Sequence, residues 1–265
     1  MCERAARAGG AVARDAFRGG FDVDTKGDKT DLVTDADYES QRQVVHTITQ
    51  EFPGEPFVCE ETPAGGPDSR AGEQLDTVPD SGPCWVVDPI DGTANFARGL
   101  RLWGTAIAAV RDGETVAAAV YLPAAQDIYT AGPDSATRNG DALGVSERTD
   151  PETFLTAITA RWSGDRSARL GATAAALNGV CGDTRRFGSF QATLGYVASG
   201  EIEATVTTEP VTPWDTLAGV CLVRQAGGVV TGLDGEPWSL DSEGLVASNG
   251  HAHDAIVQTT ASALE

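Results

Sequence analysis

The sequence predicts an α/β (α+β) protein of two layers that share a boundary near residue 130, and three observations carry that expectation. The 265 residues suit one large domain or two intimately packed smaller ones. The first half holds hairpin signals, with residues 104–122 turning at Asp112–Gly113 and residues 129–145 turning at Asn139–Gly140. From about residue 152 onward, strands and helices alternate instead. The expected division is therefore 1–130 and 131–265.

The elements follow in order. Residues 3–18 read as a helix with Ala5, Ala8, Val12 and Ala16 on one face. A second helix follows Thr34, a suitable cap, with Tyr38, Val45, Ile48 and Phe52 at helical spacing, and Pro53–Gly54 stops it. Short strands end at Glu60–Glu61 and, through Cys84–Trp85–Val86–Val87, at Asp88. Between them, residues 62–83 form a loop rich in Gly, Pro and Asp. Later come a strand over Leu155–Ala160, a helix near 166–178 and a strand over Thr184–Phe187. A helix over Ser189–Ala198, another from Trp214 and a strand over Gly228–Thr231 complete the set. There are no repeats, low-complexity tracts or long linkers.

Charge excludes some functions. A formal net charge of −20 leaves no basic patch for a phosphate backbone, which argues against nucleic acid as partner. Hydrophobic residues make up 41%, a globular composition rather than that of a disordered acidic chain. The most apolar stretch, Leu102–Val110, is about half of a membrane span, and the opening Met-Cys-Glu-Arg has no apolar signal core. A cytoplasmic protein is expected. Its two lysines, Lys26 and Lys29, beside an excess of carboxylates fit a salty cytoplasm, since dense carboxylates hold water and cations. Five scattered cysteines without a CxxC pair give neither a zinc ribbon nor a disulfide framework. His46, His251 and His253 are expected to be solvated.

The informative segment is Asp88-Pro89-Ile90-Asp91-Gly92-Thr93-Ala94-Asn95-Phe96. Asp88 closes an apolar strand, the end at which α/β proteins place their sites. Pro89 breaks the ladder, which frees the Ile90 carbonyl, and Asp91 is close enough to share a cation with Asp88. Gly92 and Thr93 open a helix whose N–H groups can hold phosphate. Oxygen donors without His or Cys point to Mg²⁺; the alternative is an Asp-rich turn capped by Asp91. Glu60–Glu61 also closes a strand, where adjacent carboxylates repel unless a cation intervenes. Asp215 stands at a helix start, where it could be only a cap. A calcium loop beginning at Asp22 fails, because Lys26 takes a ligand position and Val33 stands where a bidentate Glu is required.

Together these segments resemble the inositol monophosphatase family, Mg²⁺-dependent and lithium-sensitive phosphatases that include archaeal fructose-1,6-bisphosphatases and nucleotide 3′-phosphatases. The resemblance runs from Asp31-Leu-Val-Thr34 and Asp37 through Glu60–Glu61 and Asp88–Thr93. It continues through Asn139–Gly140, Gly188–Ser189 and Trp214–Asp215 to Ser248-Asn249-Gly250. It implies a layered α-β-α-β-α sandwich, usually a homodimer, with two or three Mg²⁺ ions. Glu60, Asp88, the Ile90 carbonyl and Thr93 correspond to the shell of a first metal, and Asp88, Asp91 and Asp215 to that of a second. Asp37 and Thr93, with Glu60, resemble the group that orients the attacking water. Gly92 and Thr93 correspond to the phosphate cradle.

Inositol 1-phosphate is the expected substrate. Gly188 and Ser189 are expected to line the leaving-group pocket, and Arg185 with Arg186 could engage a second phosphate or pair with surface acids. Animal members place a Glu seven residues before the Trp-Asp aspartate; here that residue is Thr208, and Glu209 beside it is the substitute. The other readings are a fructose-1,6-bisphosphatase, a nucleotide 3′-phosphatase using Trp103, Trp162 or Trp238 as a stacking surface, and a catalytically silent metal- or phosphate-binding protein. The presence of Asp37, Glu60, Asp88, Asp91, Thr93 and Asp215 together speaks against the silent form. If the acidity is an adaptation to salt, the melting temperature falls by several degrees from molar to millimolar KCl. A flat melting temperature would reject that reading.

Overall fold

Alternation along Cys84–Trp85–Val86–Val87 sends Cys84 and Val86 to one side of a strand and Trp85 and Val87 to the other. All four are buried, so this strand is covered on both faces. The computed structural model describes residues 1–19, 23–25, 32–62, 70–159 and 167–264. The candidate calcium loop lies largely outside these residues, as does Trp162.

The first half contains α1 (Cys2–Ala16), β1 (Val23–Thr25), β2 (Leu32–Thr34), α2 (Asp35–Thr49), β3 (Phe57–Cys59) and β4 (Pro83–Asp91). There follow α3 (Thr93–Ala97), β5 (Gly104–Arg111), β6 (Glu114–Leu122), β7 (Asp127–Ala131), β8 (Ala136–Arg138) and β9 (Asp141–Ala142). Strands β3 to β9 form one seven-stranded sheet in sequence order, and β1 pairs with β2 alone. The second half contains β10 (Leu155–Ile158), α4 (Ser167–Asn178), β11 (Asp183–Arg185), α5 (Phe190–Ala198) and β12 (Ala204–Thr207). It ends with α6 (Pro213–Gln225), β13 (Val229–Thr231), β14 (Leu245–Ser248) and α7 (His253–Ser262). The second sheet has the order β11-β10-β12-β14-β13.

Side-chain parity builds the layers. Ala5, Ala6, Val44 and Ile48 from α1 and α2 cover Trp85, Val87 and Ile107 on one face of the large sheet. Leu194, Val197, Leu217 and Val220 from α5 and α6 cover Val86, Ala108 and Val120 on the other. The same two helices reach Ala157, Leu245 and Ala247 of the second sheet, whose far face packs Ile158, Val206 and Val246 on Leu177 of α4 and Ile256 of α7. The order is therefore α-β-α-β-α. No helix among the described residues is long and apolar enough to cross a membrane.

Two boundaries differ from expectation. The large sheet runs through residue 130 to Ala142 and the second starts at Leu155, so the sheets change over between those residues. Strand β4 does not stop at Asp88. It continues to Asp91 with its register against β5 shifted between these two aspartates. Pro89 lacks an N–H, and its carbonyl is taken by Ser40 Oγ at 3.1 Å and Thr105 Oγ1 at 2.8 Å, which holds the irregularity in place. The hairpin at Asp112–Gly113 forms as expected; Asn139–Gly140 also turns, but it joins only β8 to β9, while Tyr129 pairs with Arg138 across a separate turn at 132–135.

Beneath this irregular segment, Ile90, Phe96 and Trp103 pack with Ala13 and Ala36. Phe96 and Trp103 meet edge to face with centroids 4.9 Å apart. Trp103→Ala should therefore lower unfolding stability by about 3–5 kcal/mol in urea titrations. A loss under about 1 kcal/mol would show that the cluster does not support the loop.

Candidate active site

Parity along β4 turns Asp88 toward α5 and α6, the side that Cys84 and Val86 face. The shifted register brings Asp91 to the same side, and α6 supplies Asp215 from its first turn. One carboxylate oxygen from each of Asp88, Asp91 and Asp215 lies within 4.8 Å of the others, and all three residues are buried.

Each carboxylate has its own support. Asp91 caps α5: it accepts from the backbone N–H groups of Phe190 at 2.8 Å and Gln191 at 2.9 Å, and from the Ser189 hydroxyl. It does not cap α3, the helix that follows it in sequence. Asp215 is the third residue of α6 and accepts from Thr212 Oγ1 at 2.6 Å. Asp37 repeats that device at α2, accepting from Thr34 N–H at 2.8 Å and Thr34 Oγ1 at 2.6 Å. Neither Asp37 nor Asp215 is the cap itself; Thr34 and Thr212 are.

Asp88 is different, because its Oδ1 is buried without a hydrogen-bond partner among the described residues. Burial raises its pKa well above the ordinary carboxylate range, and the charges of Glu60, Asp91 and Asp215 add to the effect. Burial also pushes Asp91 up to about 7, against the lowering effect of the Ser189 bond. Burial takes Asp37 to about 7 despite Thr34, with Glu60 adding repulsion.

Glu60 closes β3, which runs parallel to β4, and its N–H donates to the Val87 carbonyl at 3.1 Å. It stands outside the tightest trio but is the first charge to act on Asp88. Glu61 is buried, its backbone held by both ends of the Gln41 amide. Thr93 Oγ1 donates to the Ile90 carbonyl at 3.0 Å and lies 3.4 Å from Asp37 Oδ1. Gly92 has φ +86°, and a Cβ there would sit 3.1 Å from the Gly188 carbonyl, so glycine is required for the loops to meet.

Sequence reasoning missed Asn95 as a tie: its Nδ2 donates to the carbonyls of Leu102 at 2.7 Å and Phe187 at 2.9 Å, joining the motif to the approach of α5. It also missed Ser40, Gln41 and Gln191, polar residues on otherwise apolar helix faces, where the lone polar side chain is the available signal.

A cavity of about 210 Å³ beside Asp215 is lined by Phe190, Thr207, Glu209, Pro210, Val211 and Thr212. Glu209 is buried there. Arg185 is on edge strand β11, paired with Asp183 at 2.5 Å. Trp103 and Trp238 are both buried, so neither presents a stacking face. His253 is not solvated: it is buried between Ser248 Oγ at 2.8 Å and Thr231 Oγ1 at 2.9 Å. All five cysteines are buried free thiols.

The donor set fits a hard cation. Three buried carboxylates in mutual contact range, one with an oxygen lacking a partner, are an arrangement that a divalent ion satisfies and a hydrophobic core does not.

Comparison with known proteins agrees. The model of the inositol monophosphatase family matches residues 2–265. The chain is 31% identical over 247 residues to a fructose-1,6-bisphosphatase/inositol-1-monophosphatase of Thermotoga maritima, covering 92% of this chain and 88% of the relative. It is 30% identical over 255 residues to an inositol-1-monophosphatase of Bacillus subtilis, covering 95% and 92%. The solved structure of a Thermotoga maritima inositol monophosphatase superposes with a TM-score of 0.86 at 28% identity, covering 98% of this chain and 95% of that one. With the fold, the acidic cluster and the whole-length match in agreement, this chain belongs to the inositol monophosphatase family of phosphoric monoester hydrolases.

Proposed function

We propose that this chain hydrolyses inositol 1-phosphate to inositol and phosphate in a Mg²⁺-dependent reaction. The observation that carries the proposal is the buried trio of Asp88, Asp91 and Asp215 with its unpartnered Asp88 oxygen. Glu60, Asp88, the Ile90 carbonyl, Asp91 and Asp215 are the residues that would hold two or three Mg²⁺ ions. Bound there, Mg²⁺ would lower the pKa of water and stabilise the attacking and leaving oxygens of an in-line displacement.

The chain's own groups do the rest. Asp37, fixed by Thr34, orients the attacking water together with Thr93 and Glu60. The N–H groups of Gly92 and Thr93 receive the phosphate. Gly188 and Ser189 approach the leaving-group side through the loop that meets Gly92, with the Ser189 hydroxyl held by Asp91, and Glu209 accepts from a polyol hydroxyl in the cavity beside Asp215. The ionisable groups lining that cavity are carboxylates, which favours a neutral polyol over a second phosphate. Arg185 is already paired with Asp183 on the edge strand, a surface partner other than a second phosphate. The proposal includes a cytoplasmic homodimer inhibited by lithium, as the resemblance implies.

Three outcomes test this reading. In phosphate-release assays at high KCl, inositol 1-phosphate should be turned over in preference to fructose 1,6-bisphosphate; the reverse preference would move the enzyme to sugar bisphosphates. Glu209→Gln should raise KM for inositol 1-phosphate about tenfold with a smaller effect on kcat, the value of a hydrogen bond to a charged group. Asp88→Asn should remove turnover by several orders of magnitude while raising the melting temperature in EDTA most at alkaline pH, because it removes a buried carboxyl group that resists ionisation among acidic neighbours. Wild-type activity in that variant would sink the cation assignment.

The pH dependence follows from Asp37 and Asp91, each pushed up to about 7, with Asp88 raised in the same direction. A carboxyl group whose pKa is higher folded than unfolded adds stability below about pH 4 and loses it as pH rises through about 7. Without divalent ions the melting temperature should therefore fall between about pH 5 and about pH 8, and Mg²⁺ should restore more of it at the higher pH. Equal restoration at both would contradict the assignment.

A further inference from the structure

Helix α5 is apolar and buried apart from a few positions, yet its second residue is a glutamine with no exposed surface. Burying an amide is favourable only when both ends are satisfied. Gln191 meets that condition entirely on α6: its Nε2 donates to the Trp214 carbonyl at 2.5 Å, and its Oε1 accepts from the Gly219 N–H at 2.7 Å. In a regular helix the Gly219 N–H would serve the Asp215 carbonyl, four residues earlier. Gln191 therefore grips α6 at the two peptide groups that bracket Asp215 in its hydrogen-bonding frame.

The same residue reaches the other side of the acidic cluster. Its backbone N–H donates to Asp91 Oδ2 at 2.9 Å. Gly219 allows the approach: a Cβ there would lie 2.5 Å from Leu194 Cβ and 2.9 Å from Gln191 Oε1. Asp91 and Asp215, 124 positions apart in sequence, are thus joined through one residue.

We infer that Gln191 is a positioning residue, setting the separation of Asp91 and Asp215 and with it the affinity of the cluster for a divalent cation. This rests on the reading of Asp88, Asp91 and Asp215 as a cation site. Gln191 has no exposed surface and spends its amide on α6, so it acts by holding the first turns of α5 and α6 in register.

The test measures cation binding without turnover. Mn²⁺ titrated into the purified full chain, free of substrate, is followed by the loss of the free-ion electron paramagnetic resonance signal. Gln191→Leu, similar in volume but without either amide bond, should weaken Mn²⁺ binding about tenfold or more, the usual cost of losing a group that orients a metal ligand. Its Mg²⁺ half-saturation in the phosphatase assay should rise in parallel while KM at saturating Mg²⁺ changes less. Gln191→Met serves if the leucine variant does not fold. Val197→Ala is the comparison: it is buried in the same helix away from the clamp, and should lower the melting temperature while leaving Mn²⁺ affinity within about twofold.

Folded Gln191 variants with wild-type Mn²⁺ affinity would overturn the inference, as would a loss in Val197→Ala as large as theirs. Wild-type protein that binds no Mn²⁺ would overturn the cation reading itself, and the positioning role with it.

Discussion

Three carboxylates confined within 4.8 Å and out of water repel one another, and the layout of this chain serves that confinement. At an effective dielectric of about 20, each charged pair at that separation costs roughly 3 kcal/mol or more. A fold of ordinary marginal stability does not keep such a group ionised without compensation. The raised pKa values of Asp88 and Asp91 are one expression of the strain, and the unpartnered oxygen of Asp88 is another. A divalent cation bound there would relieve both, and would couple binding to folding through charge.

Holding that group in place takes contributions from separate layers. The irregular end of β4 presents Asp88 and Asp91, and the helix layer between the sheets presents Asp215. The start of α5 turns three consecutive N–H groups onto Asp91. Asp37 and Asp215 are each held by a threonine at the start of their own helix, so the same local device is used on both sides of the large sheet. Asn95 and Gln191 then tie these local units across the interior. Beside the trio, Glu209 adds a further buried acidic group at the cavity edge.

Much of this was legible in the sequence where the signal is local. Thr34 announced its helix, Asp112–Gly113 and Asn139–Gly140 announced their hairpins, and the Asp88–Thr93 segment announced the site. The strand through Pro89 was not legible, because the proline carbonyl is satisfied by Ser40 and Thr105, 49 and 16 residues away. Strand β12, four residues of Ala, Thr and Val, and strand β14 have too little sequence of their own to stand out. They exist because the neighbouring strand supplies the ladder. His253 reads as a solvated terminal residue until the Ser248 hydroxyl, five residues back, and the Thr231 hydroxyl, 22 residues back, are placed on its ring. Gln191 is a similar case: a polar residue in an apolar helix shows that something must satisfy it, but not that both partners belong to α6.

If Asp88, Asp91 and Asp215 share a divalent cation, it sits among their carboxylate oxygens. Anomalous diffraction from a crystal of the protein soaked in Mn²⁺ tests that placement most directly. A manganese peak bonded by oxygens of all three aspartates is the expected result. A crystal with these side chains ordered, and with no peak among them at saturating Mn²⁺, would contradict it.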